Sequence, residues 1–151
     1  MSWGDKIQVK KGDIGEDLVI KYLKVNGYEI LEHNREVGPH PYDIMARGKK
    51  GDFIVEVKSK PRRDNYPDTG VDLKHYNDYK TVSRDKKITV FLFFVDENSG
   101  KVYGGDLSSL DVKKTHNYNN RNYEYPKVEN GIIYFFQPSM SVFFELTKED
   151  T

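Results

Sequence analysis

One run dominates the sequence: Ile88-Thr89-Val90-Phe91-Leu92-Phe93-Phe94-Val95 is apolar at every position but one. A strand with one wet face alternates apolar and polar residues, so a nearly continuous run of this length predicts a central strand covered on both faces. The chain must supply covering layers on both sides. At 151 residues it is long enough for one core of helices packed on a sheet, and the expectation is a single domain over 1–151.

Periodicity identifies the covering elements. Over residues 12–26, Ile14, Leu18, Tyr22 and Val25 recur at helical spacing, Ile20 and Leu23 broaden the stripe, and Gly27 stands where a C-terminal cap belongs. Residues 28–35 read as a strand in which Leu31 breaks the alternation, ended by Gly38-Pro39-His40-Pro41. Two β-prone runs follow, 42–47 and 52–58, with the hairpin turn Gly48-Lys49-Lys50-Gly51 between them. A stretch rich in Pro, Arg and Asp leads to a second predicted helix over 71–83, with Val71, His75, Tyr79 and Val82 along one face and Asp72 in its first turn, where the helix dipole favours an acid. Beyond the central strand, residues 101–105 predict a shorter strand and 107–110 one helical turn. Residues 113–130, polar and rich in Asn and Tyr, predict a long loop, before strands near 132–137 and 142–146.

Composition narrows the function classes. With no cysteine there is no disulfide frame, thiolate zinc site or Cys nucleophile, which suits a reducing cytosol. No apolar run approaches the roughly 20 residues of a membrane span, and residues 2–11 are too polar for a signal peptide, so a cytoplasmic protein is expected. Lys and Arg balance Asp and Glu, 24 against 24, so attraction to nucleic acid requires a local patch rather than a domain-wide field. The 11 Tyr and 8 Phe serve cores and base-stacking surfaces equally well.

The hairpin carries the chemistry. Whether its loop is two residues or four, Arg47 falls opposite Asp52, and counting outward sets Asp43 opposite Glu56. Directly opposed residues have Cβ atoms about 4.5–5.5 Å apart, where like charges destabilise. Alternation places Glu56 and Lys58 on one face and Val55 and Val57 on the other. A divalent cation neutralises such a carboxylate pair, and Mg²⁺ is typically held by one or two carboxylates with a substrate phosphate. A solvated sheet face in which a lysine pairs with acids is the alternative for so short a motif.

Pro41-Tyr42-Asp43 followed by Glu56-Val57-Lys58 resembles the PD-(D/E)xK nuclease superfamily, with Tyr42 inserted between the proline and the aspartate. The resemblance extends over about residues 12–95 as an element order of helix, three-stranded antiparallel meander, helix and central strand. It implies an α/β restriction-endonuclease-like core, elaborated over 96–151 by extra C-terminal β-strands. It further implies that Asp43, Glu56 and the Val57 carbonyl ligate Mg²⁺, with Mn²⁺ able to substitute, and that Lys58 orients the attacking water and stabilises charge on the phosphate. Resolvase-like members carry a helical glutamate near the metal, a place that falls here to Glu16; a solvated helix face is the other reading. Lys60, with Arg62 and Arg63, forms a basic patch suited to phosphate, or an ordinary soluble surface run.

His75 and Tyr79, one helical turn apart, resemble the Gln-x-x-x-Tyr element of superfamily exonucleases, with His for Gln; core packing with a polar edge competes with a contact to the scissile phosphate. The aromatics Tyr118, Tyr123 and Tyr125, with Arg121, stack unpaired bases or line a surface loop. The expectation is therefore a metal-dependent nuclease, DNA favoured over RNA as its partner and branched or single-stranded structure over sequence, on a surface that permits a homodimer. A catalytically silent nucleic-acid-binding or adaptor module on the same fold is the rival, and a hydrolase of RNA or a nucleotide a third option.

Overall fold

The computed structural model describes residues 11–34, 42–58, 66–96 and 100–145. Helix α1 (Lys11–Val25) ends where Gly27 adopts a positive φ of 89°. The Gly27 and Tyr28 amides return to the Lys24 and Leu23 carbonyls, the paired bonds of a Schellman cap. Strands β1 (Glu29–His33), β2 (Ile44–Gly48) and β3 (Gly51–Lys58) then form an antiparallel meander. The register of β1 on β2 slips between Ile30 and Glu32, a bulge at Leu31, the residue that breaks the alternation in sequence.

Strand β5 (Thr89–Val95) runs parallel to β3, which requires a crossover; β4 (Asp68–Asp72) and helix α2 (Leu73–Lys86) provide it. Strand β6 (Lys101–Asp106), the single turn α3 (Leu107–Leu110) and, at the far edge, β11 (Ser141–Glu145) extend the sheet to six strands in the order β1-β2-β3-β5-β6-β11. Val90, Leu92 and Phe94 of β5 join Ile54, Tyr76 and Tyr79 in a core on the α2 side. Phe93 and Val95 join Val19, Leu23, Ile44, Val55 and Val57 on the α1 side. The central strand is covered on both faces, as its composition demands.

Two sequence expectations are corrected. The second helix begins at Leu73, not residue 71: Val71 belongs to β4, which pairs with β10 (Ile132–Phe136), and β9 (Lys127–Glu129) completes a three-stranded sheet. Gly70 allows that pairing, since a Cβ there would sit 2.6 Å from the Ile133 carbonyl oxygen. Asp72 therefore stands at the N-cap and not within the first turn. Residues 113–130 are not a loop: β7 (Lys114–Tyr118) and β8 (Arg121–Tyr125) form a hairpin whose turn residues Asn119 and Asn120 both have positive φ, the type I′ geometry that Asn tolerates. Among the described residues no helix is long and apolar enough to cross a membrane.

Candidate metal centre

The hairpin register is the one the sequence predicts. Arg47 pairs with Asp52, their guanidinium and carboxylate joined at 2.7 and 3.2 Å, and the ladder runs to Ile44 opposite Val55. The next position outward sets Asp43 against Glu56. Here the strands stop exchanging backbone bonds and the carboxyls take them over. Glu56 Oε1 accepts the Asp43 amide at 3.0 Å, and Asp43 Oδ2 accepts the Val57 amide at 3.3 Å. Tyr42, which strict alternation would send to the α1 side, joins the α2-side core, so the chain turns at Asp43.

Both carboxyls are buried, Glu56 to 2% exposure and Asp43 to 9%. Burial first, and then the charge and hydrogen bond of Asp43, push the Glu56 carboxyl up to about 9 against the opposing pull of Lys58. Lys58 shares the face and extends its ammonium over the Tyr79 ring, 5.3 Å from the centroid. Burial, and then the charges of Glu56 and Asp43, hold the Tyr79 phenol far above its ordinary pKa, so its hydroxyl keeps its proton beside the pair.

These groups offer hard oxygen donors from two converging carboxyls, the chemistry that suits a divalent ion. The Val57 amide points to Asp43, and an extended residue sends its N–H and C=O to the same edge, so its carbonyl is directed toward the pair as well.

The remaining predicted residues separate into three groups. Tyr79 sits in the centre, but His75, one turn earlier, does not share its burial: its side chain is 54% exposed and lies 3.9 Å from Asp72. Tyr76 takes the buried position instead. Glu16 is a correction. Helix α1 covers the opposite face of the sheet from Glu56, and Glu16 Oε2 meets His33 Nε2 at 3.0 Å. Among the described residues no third carboxylate or imidazole joins Asp43 and Glu56 in a metal-sized cluster. Lys60, Arg62 and Arg63 lie outside the described residues.

Three supporting residues escape a motif search. Asn34 holds the Asp43 segment from both ends, its amide donating to the Asp43 carbonyl and its Nδ2 to the Tyr42 carbonyl, each at 2.8 Å. The Tyr42 hydroxyl donates to the Glu32 carboxylate. The β1–β2 register, had it been known, would have placed Asn34 opposite Asp43, one step beyond His33 and Ile44.

A six-stranded mixed sheet with helices on both faces, and a carboxylate pair with lysine placed just before β2 and on β3, defines a restriction-endonuclease-like fold. Among solved structures it is similar to Hjc, a Holliday junction resolvase from the archaeal hyperthermophile Archaeoglobus fulgidus, with a TM-score of 0.53 and 14% identity over 75% of this chain and 86% of that one. The chain belongs to the family described as "Uncharacterised protein family UPF0102", whose model matches residues 15–86. Its relatives include UPF0102 proteins of Fervidobacterium nodosum, 37% identical over 76% of this chain and 80% of that protein, and of Persephonella marina, 33% identical over 66% and 82%.

Proposed function

We propose that the chain is a metal-dependent phosphodiesterase acting on nucleic acid, with DNA as substrate and Mg²⁺, or Mn²⁺ in its place, as the resident ion. One observation carries the reading: two buried carboxyls converge beside a lysine, and burial first and the Asp43 charge second push one of them up to about 9. Asp43, Glu56 and the Val57 carbonyl are the protein's oxygen ligands. The ion, when bound, lowers the pKa of water and counters phosphate charge, so no protein nucleophile is needed. Lys58 orients the attacking water and neutralises charge that builds on the phosphoryl oxygens. Tyr79 holds the Lys58 ammonium beside the pair through its ring face. Lys60, Arg62 and Arg63 follow Lys58 directly and meet the backbone phosphates.

The fold shared with a Holliday junction resolvase supports branched DNA as the target. A two-fold substrate of that kind suits a homodimer. The test is incubation of the protein with duplex, single-stranded, nicked and four-way-junction DNA and with RNA, in Mg²⁺, Mn²⁺ or EDTA. Asp43→Ala and Lys58→Ala should each lower the metal-dependent rate by about 100-fold or more. Cleavage in EDTA, or cleavage indifferent to both substitutions, refutes the mechanism; binding without cleavage of any substrate identifies a non-catalytic module.

A further inference from the structure

The β7–β8 hairpin has two chemically distinct faces. Its register pairs Lys114 with Tyr125, His116 with Tyr123 and Tyr118 with Arg121, so these six side chains share one face. The opposite face carries Thr115, Asn117, Asn122 and Glu124, the last engaged by Lys113 at 3.2 Å. The hairpin's only carboxylate is thus turned away from its rings. Lys114 and Arg121 are exposed and make no ion pair among the described residues.

The rings form a ladder. Tyr123 lies on Tyr125 with planes 19° apart, Tyr125 on Phe136 at 27°, and Phe136 on His116 at 21°, with centroids of the last pair 4.1 Å apart. Lys127 caps the Tyr125 ring from 5.5 Å and the Tyr66 ring from 5.2 Å. A cavity of about 240 Å³ is lined by Lys114, His116, Tyr125 and Phe136 of this face together with Leu110 and Val112. It is smaller than the roughly 300–1,000 Å³ of sites for drug-sized ligands, a size that suits one planar ring system. Burial and the nearby Lys114 lower the His116 pKa, so at neutral pH it presents a ring face and not a charge.

We propose that this face is a second nucleic-acid contact, separate from the carboxylate centre, which takes an unpaired base of a single strand into the cavity against His116 and Phe136. Lys114 and Arg121 meet the flanking phosphates. Parallel rings extend by offset stacking, every base has a π-face to add, and Lys114 and Arg121, with Glu124 turned to the opposite face of the hairpin, complement the strand's backbone. The proposal rests on the nucleic-acid reading above and names the feature of the substrate it selects, an unpaired segment.

The test uses the full chain in EDTA with a fluorescein-labelled oligothymidine and a duplex of equal length, read by anisotropy. His116→Ala should weaken oligothymidine binding about 5- to 150-fold, the range for removing one stacking aromatic, and His116→Phe should restore it. Lys114→Glu with Arg121→Glu, at exposed positions that leave the packing alone, should flatten the slope of log K against log salt by about 0.7 for each phosphate no longer neutralised. Duplex binding should fall less than single-strand binding. Equal oligothymidine affinity in wild type and all variants overturns the proposal, as does equal affinity of the Ala and Phe variants. Because EDTA removes cleavage, an inactive carboxylate centre leaves this result standing, and a silent hairpin leaves that centre standing.

Discussion

Replacing Glu56 by Gln should stabilise the metal-free protein, an unusual outcome for a buried site residue. In the unfolded chain Glu56 ionises near 4.5, whereas in the fold it keeps its proton up to about 9. Between these values the folded state binds one proton more than the unfolded state, so stability falls as pH rises, by about 1.4 kcal/mol per unit. Stability is fullest below 4.5, and by pH 7 the accumulated loss is about 3 kcal/mol. Gln keeps an oxygen to accept the Asp43 amide and has no charge to desolvate, so it escapes that loss. Urea unfolding in EDTA at pH 5, 6, 7 and 8 should show the two proteins converging at pH 5 and the variant ahead by about 1–3 kcal/mol at pH 7. Saturating Mg²⁺ should offset that lead, because an ion that binds only the folded wild type adds about 2.7 kcal/mol at a hundred times its Kd. Parallel pH profiles, or a wild type more stable than the variant throughout in EDTA, would refute the reasoning.

Other outcomes follow from the same geometry. Asn34→Ala removes the side-chain bond that holds the Tyr42–Asp43 peptide, and should weaken Mn²⁺ binding about 10- to 100-fold by calorimetry, as removal of a group that orients a metal ligand typically does; unchanged affinity would show that Asp43 is positioned without it. Tyr125→Phe removes the donor to the fully buried Asp68, bonded at 2.7 Å, and should cost about 1–3 kcal/mol in urea unfolding. Asn120→Val puts a β-branched residue at φ 63° and should cost about 1–2 kcal/mol, whereas Asn120→Gly should be neutral or stabilising; thermal unfolding of the pair distinguishes them.

The centre was legible in sequence to the extent that local rules reach. Alternation and a Gly-Lys-Lys-Gly turn are short-range facts, and they put Asp43 opposite Glu56 and Lys58 beside it without reference to the rest of the chain. Which helix covers which face is a long-range fact. Glu16 sits at a plausible place along α1, yet α1 packs on Val55 and Val57 while Glu56 faces α2, so Glu16 meets His33. His75 lies outside the core for a smaller reason: with the helix starting at Leu73, the buried stripe runs through Tyr76 and Tyr79. The β7–β8 hairpin hid because its inward residues are His and Tyr, not aliphatics; its signal was Asn119-Asn120 between two alternating runs.

The pairing of β4 with β10 joins the stretch between the centre and α2 to residues some sixty positions later. Synthesis delivers the carboxylates, the lysine and α2 well before β10, and until then β4 has an open edge. The region matched by the family model, residues 15–86, thus leaves β4 without its β10 partner, β5 and β6 lying beyond it as well. A nascent or truncated chain that stops before residue 132 would hold Asp43, Glu56 and Lys58 in an incomplete frame, so the carboxylate pair would gain its full support only once β10 is made, a built-in delay between making the residues and fixing them.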